Sequence, residues 1–322
     1  MESRSYNDFD EFAEDVSSFD GRILLNHPSK PKWTISHIDL GEVHIQVGLL
    51  GSGNIVEGTS WDGYLVYLPL TGACRKILNG SEIDMHSLLL FEPGSDICLS
   101  SAFEHSWCSI FVPTDVWTRV SNPLILSLGG EKGACRVTRP NRQLAMQGRS
   151  LVRDIQFAAA TCLQFESTPA ATIAAERAMK FVSRVVGEKP IGEPHRGGRP
   201  RISRKEIFYR CKELLDEQEG KHVAVSDLTK IARVSERTLE TAFKEYLGEV
   251  PRRYLQLRHL KQIRCALRAS KVDERTVTEI LADHGEYEFG RFAGRYHSQY
   301  GELPSQTLNS RLNIMLSQRA SA

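Results

Sequence analysis

The chain has 322 residues, a hydrophobic content of 41% and a formal net charge of +1. This composition excludes a fibrous or wholly disordered protein, and the length allows two globular domains that each bury a core. No apolar run approaches the roughly 20 residues that span a bilayer, and the polar N-terminus lacks a signal-peptide pattern. We therefore expect a cytoplasmic protein with no membrane partner.

Charge is distributed unevenly along the chain. Residues 201–322 hold 22 basic and 17 acidic side chains, a net charge of +5, whereas residues 1–200 hold 19 and 23, a net charge of −4. Only the C-terminal part therefore has the sign that phosphates attract. A chance imbalance between the two parts is the alternative interpretation.

Residues 33–117 predict β-strands, because apolar side chains recur there with a period of two. The clearest case is the alternation of polar or small residues with Val43, Ile45, Val47 and Leu49. Further short strands are predicted over residues 64–70, 74–78 and 87–91. Asn79-Gly80 is typical of a type I′ hairpin, and Pro93-Gly94 indicates another turn. Short strands with no helices between them predict a small sandwich or jelly-roll barrel.

From residue 140 to about residue 186 the periodicity is that of helices. The apolar positions expected on the buried face are Leu144, Leu151, Val152, Ile155, Ile173, Met179, Val182 and Val186. Thr168-Pro169 is predicted to separate two antiparallel helices. Such a helical pair can serve as a dimerisation surface or can pack onto the core of its own domain, and the pattern leaves both open.

Residues 187–202 form a predicted linker, since glycine and proline are frequent there. The linker separates residues 1–186, which we expect to form a regulatory or dimerisation domain, from residues 203–312. Its basic stretch from Arg196 to Arg201 can be a solvated hinge or an arm that enters a minor groove.

The C-terminal part contains two copies of one helical sequence unit, and this repeat is the most informative feature of the chain. The first copy contains Val225, Leu228, Leu239, Phe243 and Pro251, and the second contains Val277, Ile280, Phe292, Tyr296 and Pro304. The first two pairs are 52 residues apart and the other three are 53 apart, so the second copy has one extra residue in its turn. Two similar helix-turn-helix units suit a partner that repeats along one direction, as DNA does about every 34 Å.

The first unit is predicted to contain helices over residues 203–218, 225–232 and 236–247. Ser203 and Glu206 form a capping-box pattern at the start of the first helix. The inward positions of that helix are Ile207, Cys211, Leu214 and Leu215. In the third helix Leu239, Phe243 and Leu247 recur at i, i+4 and i+8, and this spacing anchors the helix to the core.

The opposite face of the third helix is polar and has the chemistry of base recognition. Arg237 can fork onto guanine O6 and N7, Glu240 can accept from cytosine N4, and Thr241 can meet a thymine methyl or a phosphate. Ser235, which can cap the helix, and Lys244 complete the predicted DNA-binding face. Such a face at the N-terminal end of the second helix of a helix-turn-helix enters a major groove. The alternative, a solvated helix face, would be preferred without the repeat.

Pro251 is predicted to begin a helix that continues to about Ala269. Nineteen residues at about 1.5 Å each give roughly 28 Å, so this helix can set two reading units in successive major grooves. Its exposed residues are expected to include six basic side chains, namely Arg252, Arg253, Arg258, Lys261, Arg264 and Arg268. We expect phosphate contacts near the ends of the helix, from Arg253 in particular.

The second unit begins with the capping-box pattern of Thr276 and Glu279 and turns at Gly285. Its recognition helix is predicted over residues 288–299 and buries the two aromatic residues of the repeat. The residues that it presents to DNA are Phe289, Gly290, Arg291, Gly294 and Arg295. The two glycines are poor helix formers, and the bare backbone can allow close approach to DNA or can mean weaker base reading.

Three motifs of residues 203–312 agree in spacing and residue type across both copies. They are Val234-Ser235-Glu-Arg-Thr-Leu239 with Phe243-Lys244, Gly248-Glu-Val-Pro251 with Tyr254 and Arg258, and Gly290-Arg-Phe292 with Tyr296 and Gly301-Glu-Leu-Pro304-Ser305. These motifs resemble the AraC/XylS family of bacterial transcription regulators over about a third of the chain. The resemblance implies a DNA-binding C-terminal domain, with an N-terminal domain that in many members is a cupin-like barrel binding an effector or dimerising.

Four positions depart from the family pattern. Arg233 stands where the family usually has the turn glycine, which implies an altered turn or a strain of about 1 kcal/mol. Thr229 and Leu281 occupy positions that are usually alanine, and Glu286 follows Gly285 where phenylalanine is common. We therefore expect the second unit to follow the family packing less closely than the first.

The expected fold class is α+β with two domains. The N-terminal domain is β-rich and cupin or jelly-roll-like with a helical pair, and the C-terminal domain is an all-α double helix-turn-helix. We predict a sequence-specific transcription regulator, of the activating kind that is commoner in the family. The expected partners are double-stranded DNA, RNA polymerase, a small-molecule effector and a second copy of the chain. The alternative is a protein-interaction module whose N-terminal barrel binds a partner, with weak or non-specific DNA binding.

The sequence offers no convergent catalytic chemistry, so we expect neither enzyme activity nor a cofactor. Seven cysteines without a CxxC pair argue against a zinc site and a disulfide framework. The histidines of the strand region are His37, His44, His86 and His105. They lack the close His-x-His spacing of metal-binding barrels, so no metal site is expected. Neither a phosphate-cradling glycine loop nor a nucleophile elbow is present in the sequence.

Overall fold

The computed structural model describes residues 2–27, 32–71, 76–120, 135–137, 141–188, 202–218, 223–271 and 274–309. The chain divides into two compact units. The N-terminal unit comprises Met1–Ile23 and Ser29–Arg199, and the C-terminal unit comprises Leu24–Pro28 and Pro200–Ala322. Most of the predicted linker lies outside the described residues, and so does its basic stretch from Arg196 to Arg201.

Two β-sheets form the centre of the N-terminal unit. The strands are β1 (Glu2–Tyr6), β2 (Phe19–His27), β3 (Trp33–Asp39), β4 (His44–Leu50), β5 (Gly53–Ser60), β6 (Gly63–Pro69), β7 (Lys76–Leu78), β8 (Ser81–Ile83), β9 (Leu89–Phe91), β10 (Asp96–Ser101), β11 (His105–Pro113) and β12 (Cys135–Val137). Among the described residues one sheet has the order β1-β3-β4-β11-β6-β9-β12, and the other has the order β2-β5-β10-β7-β8. This arrangement confirms the β-rich N-terminal domain.

The strand-rich region starts before residue 33 and includes β12, which lies beyond residue 117. Before Trp33 lie β1, helix α1 (Phe9–Asp15) and β2. β1 is an edge strand with the polar sequence ESRSY, so it lacks the apolar alternation of a half-buried strand. At the other end helix α2 (Thr114–Val120) replaces the predicted strand, because Val116 and Trp117 reach the core from a helical turn.

The two predicted turns are confirmed. Asn79 and Gly80 have φ values of 46° and 82° between β7 and β8, and a type I′ turn requires positive values at both central residues. Gly94 has a φ of 73° between β9 and β10, where a residue with a Cβ would be strained. Residues 74 and 75 of the predicted strand lie outside the described residues.

The helical pair packs onto the core of the N-terminal unit. Its members are α3 (Arg142–Thr161) and α4 (Pro169–Val186). Thr168 caps α4, since its hydroxyl accepts from the Ala171 N–H at 3.4 Å. Side chains of both helices belong to one hydrophobic cluster with sheet residues such as Val66 and Ile110. Packing onto the domain's own core is therefore observed, and a dimerisation role stays a prediction.

Ile173 was expected on the buried face and is 59% exposed. The buried face of α4 is set by Ala171, Ala174, Ala178 and Val182. Three of these are alanines, so a pattern weighted by large apolar side chains misplaces the face. The other predicted positions are buried, namely Leu144, Leu151, Val152, Ile155, Met179, Val182 and Val186.

The C-terminal unit is helical over its described residues from 202 onwards. Its helices are α5 (Arg204–Glu217), α6 (Val225–Ala232), α7 (Glu236–Tyr246), α8 (Pro251–Ala269), α9 (Val277–Asp283) and α10 (Phe289–Tyr300). The bounds predicted for α5 to α8 and for α10 are confirmed to within one residue. No described helix of either unit is long and apolar enough to cross a membrane.

The helix caps follow the predictions in part. The Ser203 hydroxyl accepts from the Glu206 N–H at 3.0 Å, which is one half of the capping box. The Glu206 carboxylate accepts from Arg210 at 2.6 Å. Thr276 and Glu279 form the complete box, with bonds of 2.7 and 3.3 Å. Backbone hydrogen bonding from Thr276 lowers the pKa of the Glu279 carboxyl, which stabilises its charged form at the helix start.

Two aromatic cores hold the helices, and α8 contributes to both. In the first, the Phe243 ring lies 5.3 Å from Phe208 and 5.6 Å from Tyr254, measured between ring centroids. The second core gathers Leu260, Ile263, Leu267, Ile280, Leu281, Phe292, Tyr296 and Leu308. The predicted anchors are confirmed as fully buried, namely Leu239, Phe243, Leu247, Phe292 and Tyr296. One helix therefore carries the first helix-turn-helix at its N-terminal half and the second at its C-terminal half.

Candidate nucleic-acid interface

The turn of the first helix-turn-helix keeps the geometry of a glycine turn although Arg233 occupies it. Arg233 has φ 55° and ψ 45°, in the left-handed region, and its N–H donates to the Lys230 carbonyl at 3.2 Å. The sequence left open whether arginine at this position alters the turn or is strained in it. The turn is preserved, and Arg233 is strained. A Cβ in this region costs about 1 kcal/mol.

Helix α7 presents a polar face next to this turn. Ser235 caps the helix by accepting from the Thr238 N–H at 3.3 Å. Arg237, Glu240 and Lys244 are exposed, and neither basic side chain forms an ion pair with a described residue. Thr241 is half-buried and donates its hydroxyl to the Arg237 carbonyl at 2.8 Å, so its methyl group is the part left for an outside contact. The residues predicted to read bases are thus gathered on one solvent-facing helix.

Helix α8 does not expose all six of its basic residues, contrary to the prediction. Arg258 and Arg264 are each 3% exposed. Arg258 donates to Asp216 at 2.8 Å and to the Tyr254 hydroxyl at 3.2 Å. Because α8 is packed on both halves, these positions face the cores, and acids from outside the helix compensate the buried charge. The absence of an acid within α8 therefore did not indicate free cations.

Arg264 repeats the arrangement of Arg258 in the second core. Its Nη1 donates to Glu302 at 2.5 Å and to the Tyr296 hydroxyl at 3.1 Å. The guanidinium also lies 4.4 Å from the centroid of the Tyr300 ring. Burial raises the pKa of the Tyr296 hydroxyl to about 12, so this group stays protonated and can donate or accept. Each helix-turn-helix is thus joined to α8 by a buried arginine.

Arg253, the predicted phosphate contact, is half-buried. Its guanidinium donates to Gln256 at 3.2 Å and to Gln299 at 3.1 Å. Burial lowers the pKa of this guanidinium from its usual value. The neighbouring Arg252 is exposed and is the better placed cation at this end of α8. The sequence predicts Arg252 among the exposed basic residues of α8, and its exposure is confirmed.

Helix α10 presents a different surface from α7. Arg291 pairs with Glu288 at 3.0 Å, and Arg295 donates to both oxygens of Glu286 at 2.9 and 3.0 Å. The two predicted base-reading arginines of this unit therefore carry carboxylate partners. Phe289 is 37% exposed beside them.

Gly290 and Gly294 lie on the same face of α10. A Cβ added at either position would meet no atom within 4 Å. Neither glycine has the positive φ that would require its conformational freedom. The protein's own packing and backbone geometry therefore give no reason for glycine at these two positions.

Glu286 takes part in the packing of the second turn in place of the family's aromatic residue. Its side chain is 14% exposed and lies 3.3 Å from His259 Nε2 of α8 as well as beside Arg295. The preceding Gly285 has a φ of 75°, as expected for the turn. A polar contact thus joins the second turn to α8, in addition to the core that packs Phe292 and Tyr296 against this helix.

Comparison with known proteins supports this assignment of the helices. The family model described as "Helix-turn-helix domain" matches residues 228–310. The XylDLEGF operon transcriptional activator 1 of Pseudomonas putida is 36% identical over 104 residues, which are 32% of this chain and 31% of that protein. The C-terminal domain is of the AraC/XylS type. The XylDLEGF operon transcriptional activator 2 of the same organism is 34% identical over 102 residues, 32% of this chain and 65% of that protein.

The similarity of this AraC/XylS-type domain to its relatives covers a limited part of them. The chain spans about a third of the length of the first of these relatives, 31%. Among solved structures, that of the AraC-like transcriptional activator CuxR has 13% identity and a TM-score of 0.39, over 76% of this chain and 86% of that one.

Proposed function

We propose that the protein is a sequence-specific DNA-binding transcription regulator that activates its target genes. The observation that carries this proposal is the polar face of α7, which is exposed, capped by Ser235 and anchored from behind by Leu239 and Phe243. The two curated relatives named above are operon activators, and the sign of regulation is taken from them.

In this proposal the first helix-turn-helix supplies most of the base reading. Arg237 has no ion-pair partner among the described residues, so binding to guanine O6 and N7 breaks no internal pair. Glu240 accepts from a cytosine amine, and the Thr241 methyl meets a thymine methyl. Lys244 and Arg252 are exposed and contact phosphates, which fixes the register of the helix in the groove.

The second helix-turn-helix positions the domain on the adjacent major groove. Arg291 and Arg295 must leave their carboxylate partners before they can bind DNA, and Glu286 and Glu288 then face the phosphates. This exchange reduces the free energy gained per arginine. We therefore propose that α10 contributes backbone and shape contacts, from Phe289, Gly290 and Gly294, more than base hydrogen bonds.

The N-terminal residues 1–186 control the C-terminal residues 203–312 through dimerisation or an effector, across the linker 187–202. Two linked DNA-binding domains gain affinity for paired sites through their effective concentration. RNA polymerase is the partner that activation requires. Deletion of residues 1–186 should therefore change promoter affinity or regulation, and an unchanged response would contradict this coupling.

The proposal is tested by a gel-shift titration of the full chain over a salt series. A regulator should lose affinity steeply as salt rises, because phosphate contacts release counterions. Arg237→Ala is compared with Lys205→Ala, which removes one exposed charge from α5 and serves as the charge-matched control. We expect Arg237→Ala to lose affinity for one preferred base and Lys205→Ala to keep it. Absence of duplex binding at low salt would instead favour the protein-interaction module.

A further inference from the structure

Two exposed aromatic rings lie at the start of α10. Tyr287 is in the turn before the helix and is 74% exposed, and Phe289 is the first residue of the helix and is 37% exposed. Neither ring packs on another described aromatic ring. Large apolar side chains that are exposed together mark a contact surface more often than an isolated one does. The aromatic pair of Tyr287 and Phe289 therefore needs an occupant from outside the helix.

The reading positions of α7 carry no polar side chain in α10. The offset of 53 residues between the two copies assigns one residue of α10 to each of the three base-reading positions of α7. They are Gly290 for Arg237, Ala293 for Glu240 and Gly294 for Thr241. Glycine has no side chain, and the alanine methyl neither donates nor accepts a hydrogen bond. The side chains at these positions of the second unit therefore cannot hydrogen-bond to a base edge.

The two arginines of α10 do not replace that chemistry. At 3.6 residues per turn, Arg291 and Arg295 lie roughly 100° and 140° around the helix from Gly290. Arg291 is paired with Glu288 at 3.0 Å. Arg295 is paired with Glu286 at 2.9 Å. A hydrogen bond from either arginine to a base therefore competes with an ion pair that the protein already has.

The place of the aromatic pair in the helix-turn-helix selects its occupant. The N-terminal residues of the second helix of such a unit contact base edges in the major groove. Residues 228–310, which match the helix-turn-helix model, include both rings. Among the groups that unmodified bases present in the major groove, the 5-methyl group of thymine is the apolar one, and phenylalanine and alanine side chains are suited to contact it.

We propose that the second unit recognises thymine through its 5-methyl group, a specificity that rests on the proposed DNA binding. The rings of Tyr287 and Phe289 and the methyl of Ala293 form the contacting surface. A Cβ at Gly290 or Gly294 would meet no protein atom within 4 Å, so the space above these glycines is open to the duplex. The first unit thus reads hydrogen-bonding edges, whereas the second reads methyl groups.

Base analogues test this specificity without any change to the protein. A duplex selected for binding by the full chain is prepared with each thymine replaced singly by deoxyuridine, which lacks only the 5-methyl group and keeps the hydrogen-bonding edge. We expect one or two positions in the segment bound by α10 to weaken the Kd about three- to fivefold each, the effect of losing one buried methyl group. Thymines outside the footprint serve as controls and should show no change.

A second pair of analogues separates the methyl group from the rest of the base. At each sensitive position the T·A pair is replaced by C·G, with either cytosine or 5-methylcytosine. The second analogue keeps the methyl group in the groove but presents an amine in place of the thymine O4 acceptor. We expect 5-methylcytosine to bind within about twofold of thymine and cytosine to bind about three- to fivefold more weakly. Equal binding of the two cytosine forms would overturn the proposal.

A protein variant assigns the sensitive positions to α10. We expect Phe289→Ala to bind the thymine and deoxyuridine forms of at least one sensitive position equally, because the methyl group has lost its partner. Phe103→Ala is the matched control, since it removes another exposed phenylalanine ring, 67% exposed, and should keep the full preference for thymine. Thermal unfolding checks that both variants are folded. If Phe289→Ala kept the thymine preference at every sensitive position, the assignment to this ring would be wrong.

The outcomes distinguish thymine recognition from the proposed function. Tight duplex binding without a methyl effect that depends on Phe289 would overturn thymine recognition and leave the DNA-binding regulator in place. Absence of duplex binding at low salt would overturn both. Unchanged DNA affinity of Phe289→Ala together with a loss of transcription activation would assign the aromatic pair to a protein partner instead of the duplex.

Discussion

The two helix-turn-helix units of the C-terminal domain share their buried residues and differ on their exposed faces. Leu239 and Phe243 in the first correspond to Phe292 and Tyr296 in the second, and all four are fully buried. On the surface, Arg237 is without an ion-pair partner among the described residues, whereas Arg295 is held by Glu286. The repeated pattern therefore specifies packing, and each copy's own polar residues determine what it can bind.

The largest effect is expected from the arginines that join each unit to α8. Arg264→Ala should lower the free energy of unfolding by about 3 kcal/mol, because Glu302 and the Tyr296 hydroxyl lose a buried partner. Arg258→Ala should lower it by a similar amount, since its partner Asp216 is exposed to much the same extent as Glu302, 36% against 31%. Urea unfolding measures both, with the exposed Arg252→Ala as control. Equal stability of Arg264→Ala and Arg252→Ala would show that the second unit does not depend on its buried arginine.

The next effect compares the two recognition helices on DNA. Arg237→Ala should lose about 1 to 3 kcal/mol of binding free energy and relax the preference at one base position. Arg295→Ala should lose no more than about 1 kcal/mol, because Glu286 already occupies its guanidinium. Competition gel shifts over single-base variants of the site give both values. Losses of equal size for the two variants, or a loss that is uniform over all bases for Arg237→Ala, would remove the proposed difference between the units.

The two turns provide a third comparison. Arg233 and Gly285 both have positive φ values, 55° and 75°, but only Gly285 is free of a Cβ. Arg233→Gly should raise the free energy of unfolding by about 0.5 to 1 kcal/mol, and Gly285→Ala should lower it by about 1 kcal/mol. Thermal and urea unfolding of the two variants check the signs. A stability loss in Arg233→Gly would mean that the arginine side chain makes a stabilising contact.

The smallest effect concerns the glycines of α10. Gly290→Ala should raise the free energy of unfolding by about 0.5 to 1 kcal/mol, because a Cβ there meets no atom and alanine is the better helix former. We expect the same variant to bind DNA more weakly if the bare backbone approaches the duplex. Unfolding and gel-shift measurements on one preparation separate the two effects. Unchanged DNA affinity would mean that the bare backbone of α10 does not approach the duplex closely and that this helix reads bases weakly. The expected gain in stability would not be affected.

The helices and their anchors could be predicted from the sequence because local patterns determine them. The bounds of α8 follow from Pro251 and the apolar positions after it, and both proved correct. The Thr276–Glu279 box and the Asn79-Gly80 turn were likewise fixed by residues a few positions apart. Such features need no knowledge of the tertiary structure.

What could not be predicted depends on contacts between elements distant in sequence. Arg258 and Arg264 were expected in solvent, since their partners Asp216 and Glu302 lie about 40 residues away. The exposure of Ile173 had the same origin, because alanines decide which side of α4 is buried. The polar edge strand β1 carries no apolar alternation at all. The charge and periodicity of a sequence describe one helix or strand at a time, whereas the burial of a side chain depends on the element that packs against it.

We propose that the two units, joined by the 19 residues of α8, bind successive major grooves on one side of the duplex. Hydroxyl-radical footprinting of the full chain on a selected binding site tests it most directly. We expect two protected segments about 10 base pairs apart on the same face, with Arg237→Ala weakening the segment read by α7. Protection of a single segment, or of two segments on opposite faces of the duplex, would contradict it.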